Sequence, residues 1–171
     1  MDTMNERPII GKNAKVDFGR RAIGVPAKID TGADSSAVWA SKIRVSKDGV
    51  LKFALFGEGS PYYSGKVFKR TDYKVAIVRS SSGHEQIRYR THFTIILNGR
   101  RIKALFNLSD RSNNQYPVLI GRRTISGKFL VDVKAGDFEH QRKYSRETGK
   151  LNQELSSNPR KFYVKYKGGA K

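Results

Sequence analysis

The sequence predicts an all-β domain with one short helix, followed by a basic C-terminal extension. Three observations carry that expectation. Short segments rich in Val, Ile, Phe and Tyr recur at close spacing with turn residues between them, and little helical periodicity appears until late in the chain. Gly is frequent, 16 of 171 residues, as suits a fold with many turns. After Val133 the composition changes, and the residues from Lys134 onward are polar, mixed in charge and poor in aliphatic side chains. The division read from this is a domain over 1–133 and an extension over 134–171. That length can enclose one proper core and is small for two.

Taken in order, strands are expected at 14–18, 23–29, 52–56, 73–79, 87–97, 100–107, 118–120 and 129–133. Asn98-Gly99 between two of them is a strong two-residue hairpin signal, because both central positions of that turn need positive φ. Ser82-Gly83 is a weaker one. Residues 35–42 read as a short helical or irregular turn, and 121–126 as the opening of the single short helix. The stretch 57–72 is rich in Gly, Ser and Tyr and reads as a long loop. In the extension, 137–155 reads as a solvent-exposed helix, Ser156-Ser157-Asn158-Pro159 as a break, and Phe162 to Tyr166 as an alternating edge strand or docking peptide. Those aromatics among basic residues could bind RNA by charge and stacking, cover the core, or join an interface between copies.

The chemistry-bearing stretch is Asp30-Thr31-Gly32-Ala33-Asp34-Ser35-Ser36, which follows the apolar run Ile23 to Ile29. A carboxylate between a strand end and a tight Gly turn can point into a cleft while the backbone comes close to whatever lies opposite. A second stretch, Leu108-Ser109-Asp110-Arg111 with Tyr116-Pro117-Val118-Leu119-Ile120-Gly121-Arg122-Arg123, gives the first one context. A faint internal repeat lays Ala27 to Ser36 over Ala104 to Asn113, with Asn107 in the place of Asp30, so only one half offers a carboxylate.

Together the two stretches resemble the retropepsin-like aspartic peptidases, and more closely a bacterial branch labelled ATP-dependent zinc proteases. The resemblance covers roughly residues 8 to 133. It implies a retropepsin-like acid-protease half-barrel and an aspartic endopeptidase that works as a homodimer, with one catalytic Asp per subunit and a water nucleophile. On this resemblance Asp30, Thr31 and Gly32 are the catalytic loop. Thr31 would bridge the subunits, and Gly32 would let a substrate carbonyl approach. Ala33, Asp34 and Ser35 are the substrate-binding residues, and Asp34 would form a partly buried ion pair with Arg122. Two carboxylates meeting at a dimer axis resist joint ionisation, so the pair would hold one proton between them. The flap would fall within 57–72 by position, or nearer Ser80 to Gly83.

No cofactor is expected. The three histidines, His84, His92 and His140, are spaced unlike a helical zinc motif, and the chain has no Cys to form a thiolate site. No Gly-rich loop followed by Lys and Ser or Thr is present to bind ATP. No apolar run is long enough to span a bilayer, and the first residues lack the apolar segment of a secretory signal, so a cytoplasmic protein is expected. The net charge of +19 favours encounter with polyanions. Arg79, Arg88 and Arg111 lie on or beside the expected cleft strands and would favour acidic peptide tails. The alternative is a catalytically weak module that uses its basic surface to hold RNA, ribosomes or an acidic protein.

Overall fold

The computed structural model describes residues 6–79, 82–137 and 146–167. The chain falls into two compact units, Met1–Phe138 and Glu139–Lys171. The elements in order are β1 (Ile9–Ile10), β2 (Asn13–Phe18), β3 (Ala22–Asp30), β4 (Ser36–Val45), β5 (Leu51–Leu55), β6 (Val67–Arg70), β7 (Lys74–Arg79), β8 (Glu85–Leu97), β9 (Arg100–Ser109), β10 (Val118–Gly121), α1 (Arg122–Ile125), β11 (Leu130–Val131), α2 (Arg146–Ser157) and α3 (Pro159–Lys167). The first unit is all-β with one four-residue helix.

Six strands, in the order β10-β3-β2-β8-β9-β4, form a ring. It closes because β10 bonds β3 on one side in parallel and β4 on the other in antiparallel. Closure leaves these strands no free edge and makes the interior a packed core. Strand β8 alternates cleanly from Thr91 to Leu97, with Thr91, Phe93, Ile95 and Leu97 inside and His92, Thr94 and Ile96 outside. Within the ring Phe18 meets Phe93 edge-on at 5.6 Å and Phe106 at 5.5 Å, while Phe53 stacks on Phe68 at 5.3 Å. Such pairs add about 0.5–1.5 kcal/mol each beyond the area they bury.

Turn chemistry fixes the register. Asn98 and Gly99 both have positive φ (49° and 73°), so the β8–β9 hairpin has the turn its sequence demands. Between β2 and β3 the ladder slips at Val16/Phe18, and the amide of Gly24, at φ 68°, donates to Asp17 Oδ1 at 2.7 Å. A left-handed residue and a local acceptor are what a bulge needs.

Three expectations are corrected. Residues 36–45 are the strand β4, not a helical or irregular turn. Ser36, Ala37 and Val38 are all buried, because β4 is flanked by β9 and β10 there, and full burial erases the alternation by which a strand is recognised. The stretch 57–72 is not loop throughout, since Val67–Arg70 form β6 against β5. Phe162 to Tyr166 lie in helix α3 rather than in a strand. Asn158 Oδ1 accepts the Lys161 amide at 3.0 Å as an N-cap, Pro159 takes the first helical position, and Phe162 and Tyr166 meet one turn apart at 4.5 Å. Of the helix expected over 137–155, residues 146–155 belong to α2, and 138–145 lie outside the described residues.

Residues 134–137 run along the first unit. The Lys12 amide donates to Ala135 O at 2.8 Å and the Lys15 amide to Asp137 Oδ2 at 3.0 Å. In the second unit Glu154 accepts from Lys165 Nζ at 2.7 Å and from the Tyr166 hydroxyl at 3.0 Å, tying α2 to α3.

Candidate active site

Asp30 is the last residue of β3, directly opposite Gly121 in the parallel β3–β10 pair. Beyond it the chain turns sharply. Asp30 Oδ1 accepts the amides of Gly32 and Ala33, both at 3.1 Å, and Ala33 N also lies 3.3 Å from Asp30 O. One carboxylate oxygen is thus consumed in shaping the turn. The other, Oδ2, is 3.6 Å from Lys28 Nζ, and the Asp30 side chain is 26% exposed. Lys28 precedes Asp30 by two residues, so strand periodicity puts both on one face of β3. That spacing was the signal for this neighbour, which sequence reasoning missed.

The loop rests on β10 and α1 by backbone contacts. Arg122 N donates to Ala33 O at 2.7 Å and Arg123 N to Asp34 O at 3.2 Å. Ser36 Oγ accepts the Gly121 amide at 3.0 Å and shares a hydrogen bond of 2.7 Å with Thr124 Oγ1, both buried. Gly121 is required by the close approach itself, since a Cβ there would stand 2.5 Å from the carbonyl carbon and oxygen of Ser35. Two apolar residues, a Gly and an Arg thus form the seat of the Asp30 turn.

Asp34 meets two arginines. Arg122 Nη2 is 3.2 Å from Oδ1, and Arg123 Nη2 is 2.9 Å from Oδ2. The expectation of a partly buried pair needs revising in degree, because the Arg122 and Asp34 side chains are 57% and 49% exposed. A pair so placed contributes about 0–1 kcal/mol, not the several expected of a buried one. Arg123 was overlooked although the Arg122-Arg123 doublet offered it. Thr31 and Gly32 are exposed at the tip of the turn, Ala33 is half-buried, and the Ser35 hydroxyl accepts from Arg90 Nη2 at 3.2 Å.

An arginine, Arg111, lies within electrostatic reach of Asp30. Arg111 is partly buried. Burial and the positive charge of Arg88 push its guanidinium down from the usual arginine range, while the negative charge of Asp30 pulls it back up. Arg111 Nε donates to Tyr116 O at 3.0 Å, which holds the side chain in place. It also lines a groove of about 390 Å³ with Pro26, Trp39, Tyr62 and Pro117. Trp39 is half-buried and belongs to this wall as well as packing against the core. Arg79, by contrast, pairs with Glu85 at 2.7 Å at the end of the β7–β8 hairpin. That hairpin extends beyond the ring, and Val75, Ile77 and Ile87 are exposed on it. Asn107, the counterpart of Asp30 in the internal repeat, is buried on β9, which pairs in parallel with β4 as β10 does with β3. Among the described residues no group of three His, Cys, Asp or Glu side chains is arranged to hold a metal ion.

A closed β-ring with an Asp-Thr-Gly turn seated on an apolar-apolar-Gly-Arg strand defines the retropepsin-like class. Within that class the chain belongs to the RimB-like family, described as retropepsin-like aspartic endopeptidase RimB, which it matches over residues 9–142. It is also 31% identical over 155 residues to a probable alpha-L-glutamate ligase of Shewanella pealeana, covering 81% of this chain and 34% of that protein. A similarly named protein of Shewanella halifaxensis is 32% identical over 117 residues, covering 65% of this chain and 26% of the relative. The chain therefore spans about a third or less of these relatives. In fold it is similar to a solved Legionella pneumophila protein of unknown function, with a TM-score of 0.59 and 24% identity over 75% of this chain and 95% of that one. No helix among the described residues is long and apolar enough to cross a membrane.

Proposed function

We propose that this protein is an aspartic endopeptidase in which Asp30 carboxylates from two copies of the chain activate one water molecule. The observation that carries the proposal is the division of labour at Asp30: Oδ1 is fixed by two amides of its own turn, while Oδ2 takes no part in the turn and faces the Lys28 ammonium at 3.6 Å. A carboxylate held this way keeps its direction without surrendering both oxygens. One chain supplies one such group, so a second copy completes the pair. The ionised member takes a proton from water, and the protonated member donates a hydrogen bond to the scissile carbonyl. Attack by the water oxygen gives a tetrahedral intermediate. It collapses as the C–N bond breaks and the leaving nitrogen takes a proton. Thr31 bonds across the dimer axis, Gly32 admits the substrate backbone, and Ala33, Asp34 and Ser35 contact the peptide.

The substrate class we propose is a peptide bearing acidic residues. Arg88 and Arg111 stand close enough to Asp30 to feel its charge or each other's, and the net charge of +19 would speed encounter with such a tail. The relatives named probable alpha-L-glutamate ligases point the same way, since glutamate added by one activity is a reasonable target for removal by another. We place the reaction in the cytoplasm. The test is cleavage of an oligoglutamate-tailed peptide by the full chain. Asp30→Asn should abolish turnover, a chelator should leave it intact, and a statine-type mimic should inhibit it. Cleavage that persists in Asp30→Asn would reject the mechanism. Loss with chelator would favour a metal hydrolase. Salt-sensitive RNA binding with no cleavage would favour a binding module.

A further inference from the structure

Beside the Asp30 loop, on the outer face of the ring, lies a second cleft, lined on one side by Ser35 and Ser36 of that loop. It measures about 190 Å³ and is bounded by β8, β9 and α1. Arg90 and His92 reach it from β8, Lys103 from β9, Arg123 and Thr124 from α1, and Lys128 from the segment that follows. Strand alternation puts the β8 and β9 side chains here, because Thr91, Phe93, Ile102 and Ala104 point into the core. Four of these residues are Lys or Arg and one is His92, and among the described residues no carboxylate lines the cleft. Arg123 is engaged with Asp34. Arg90 is the informative one. Its Nη2 donates to Ser35, yet its Nε is buried without an acceptor among the described residues. A buried guanidinium N–H without a partner is costly, and an anion in the cleft would satisfy it.

We propose that this cleft binds a small phosphate-type oxyanion. A rigid guanidinium fork and a mobile ammonium, on neighbouring strands, suit a compact acceptor that presents oxygens in several directions. The volume holds a phosphate or diphosphate and excludes a folded partner. The site also touches the catalytic loop from behind. Arg90 bonds Ser35, and Thr124 bonds Ser36, so a bound anion fixes the seat of residues 33–36.

The test is titration of the full chain with inorganic pyrophosphate at low ionic strength, followed by calorimetry and by 15N NMR. Saturable binding at one site is expected, with the largest amide shifts at Ser35, Arg90, Lys103 and Thr124. Lys103→Ala should weaken binding by about tenfold, the loss of one charge-assisted hydrogen bond, and His92→Ala by a smaller factor, the loss of one hydrogen bond. Lys47→Ala, which lies outside the cleft, should not change it. Non-saturable shifts spread over the basic surface would overturn the proposal, as would unchanged affinity in Lys103→Ala. An oligoglutamate peptide that displaced pyrophosphate with equal strength would overturn the phosphate assignment. Because the readout is binding, the outcome is independent of whether the chain cleaves peptides.

Discussion

Replacing Gly121 by Ala tests how the Asp30 loop is held. The added methyl carbon would stand 2.5 Å from both the carbonyl carbon and the oxygen of Ser35, and 3.0 Å from Ala33 O. Ordinary contacts between carbons lie near 3.5–4.0 Å, so the shortfall is about 1 Å. No flexible side chain can yield, because the opposing atoms are the backbone of Ser35 and Ala33 in the loop. Relief requires residues 33–36 to move away, stretching the bonds Arg122 N–Ala33 O at 2.7 Å and Gly121 N–Ser36 Oγ at 3.0 Å. Overpacking of this kind costs about 1–3 kcal/mol, and each weakened buried hydrogen bond adds roughly 1 kcal/mol. We expect a total of about 3–5 kcal/mol, which lowers the melting temperature by roughly 6–20 °C for a domain of this size. Gly32→Ala is the control. Its methyl would meet only Asp30 Oδ1, at 3.4 Å, so its melting temperature should hold while peptide cleavage falls. Circular dichroism melts of both variants decide the matter. A Gly121→Ala melting temperature within about 2 °C of the parent would refute the close-seat reasoning.

Other predictions follow from the same contacts. Arg122→Ala should cost less than about 1 kcal/mol in a denaturant melt, because the pair is exposed and Arg123 keeps Asp34 company; a loss of several kcal/mol would mean that the pair is buried in the working assembly. Phe106→Ala, at the centre of the ring, should cost about 3–5 kcal/mol by the same measurement. Hydrogen bonds from Lys165 and Tyr166 hold Glu154 below the ordinary glutamate value of 4.5. A carboxylate depressed on folding stabilises α2 and α3 above its unfolded value, and that contribution is lost as pH falls through the folded one. The helical signal at 222 nm should therefore weaken in acid, with a smaller acid-dependent change in Glu154→Gln. Asn158→Ala should cost α3 about 1 kcal/mol through its lost cap, seen as reduced helicity.

The strands most legible in the sequence have a stretch with one face in the core and one outside. Strands β8 and β9 announce themselves by alternation and by the Asn98-Gly99 turn between them. Strand β4 was hidden because its first residues are enclosed by neighbours and are small or polar, Ser36 and Ala37 among them. For Phe162 and Tyr166 the period was ambiguous, since a spacing of four satisfies both a strand face and a helix face. The Asn158-Pro159 start signal was the better guide there. At the site, the motif singled out Asp30 and its turn, because a strand running into a Gly turn is a local pattern. Lys28 and Arg123 were within reach of spacing arguments. The link from Arg90 to Ser35 was not, since 55 residues separate them and only the ring brings them together.

The most direct measurement mixes parent chains with Asp30→Asn chains under conditions where subunits exchange, and follows cleavage of an oligoglutamate-tailed peptide. If each working site needs a carboxylate from both copies, equal amounts should halve the rate per parent chain, because half of those chains then sit beside an inactive partner. A rate per parent chain that stays constant as the variant is added would contradict the shared site.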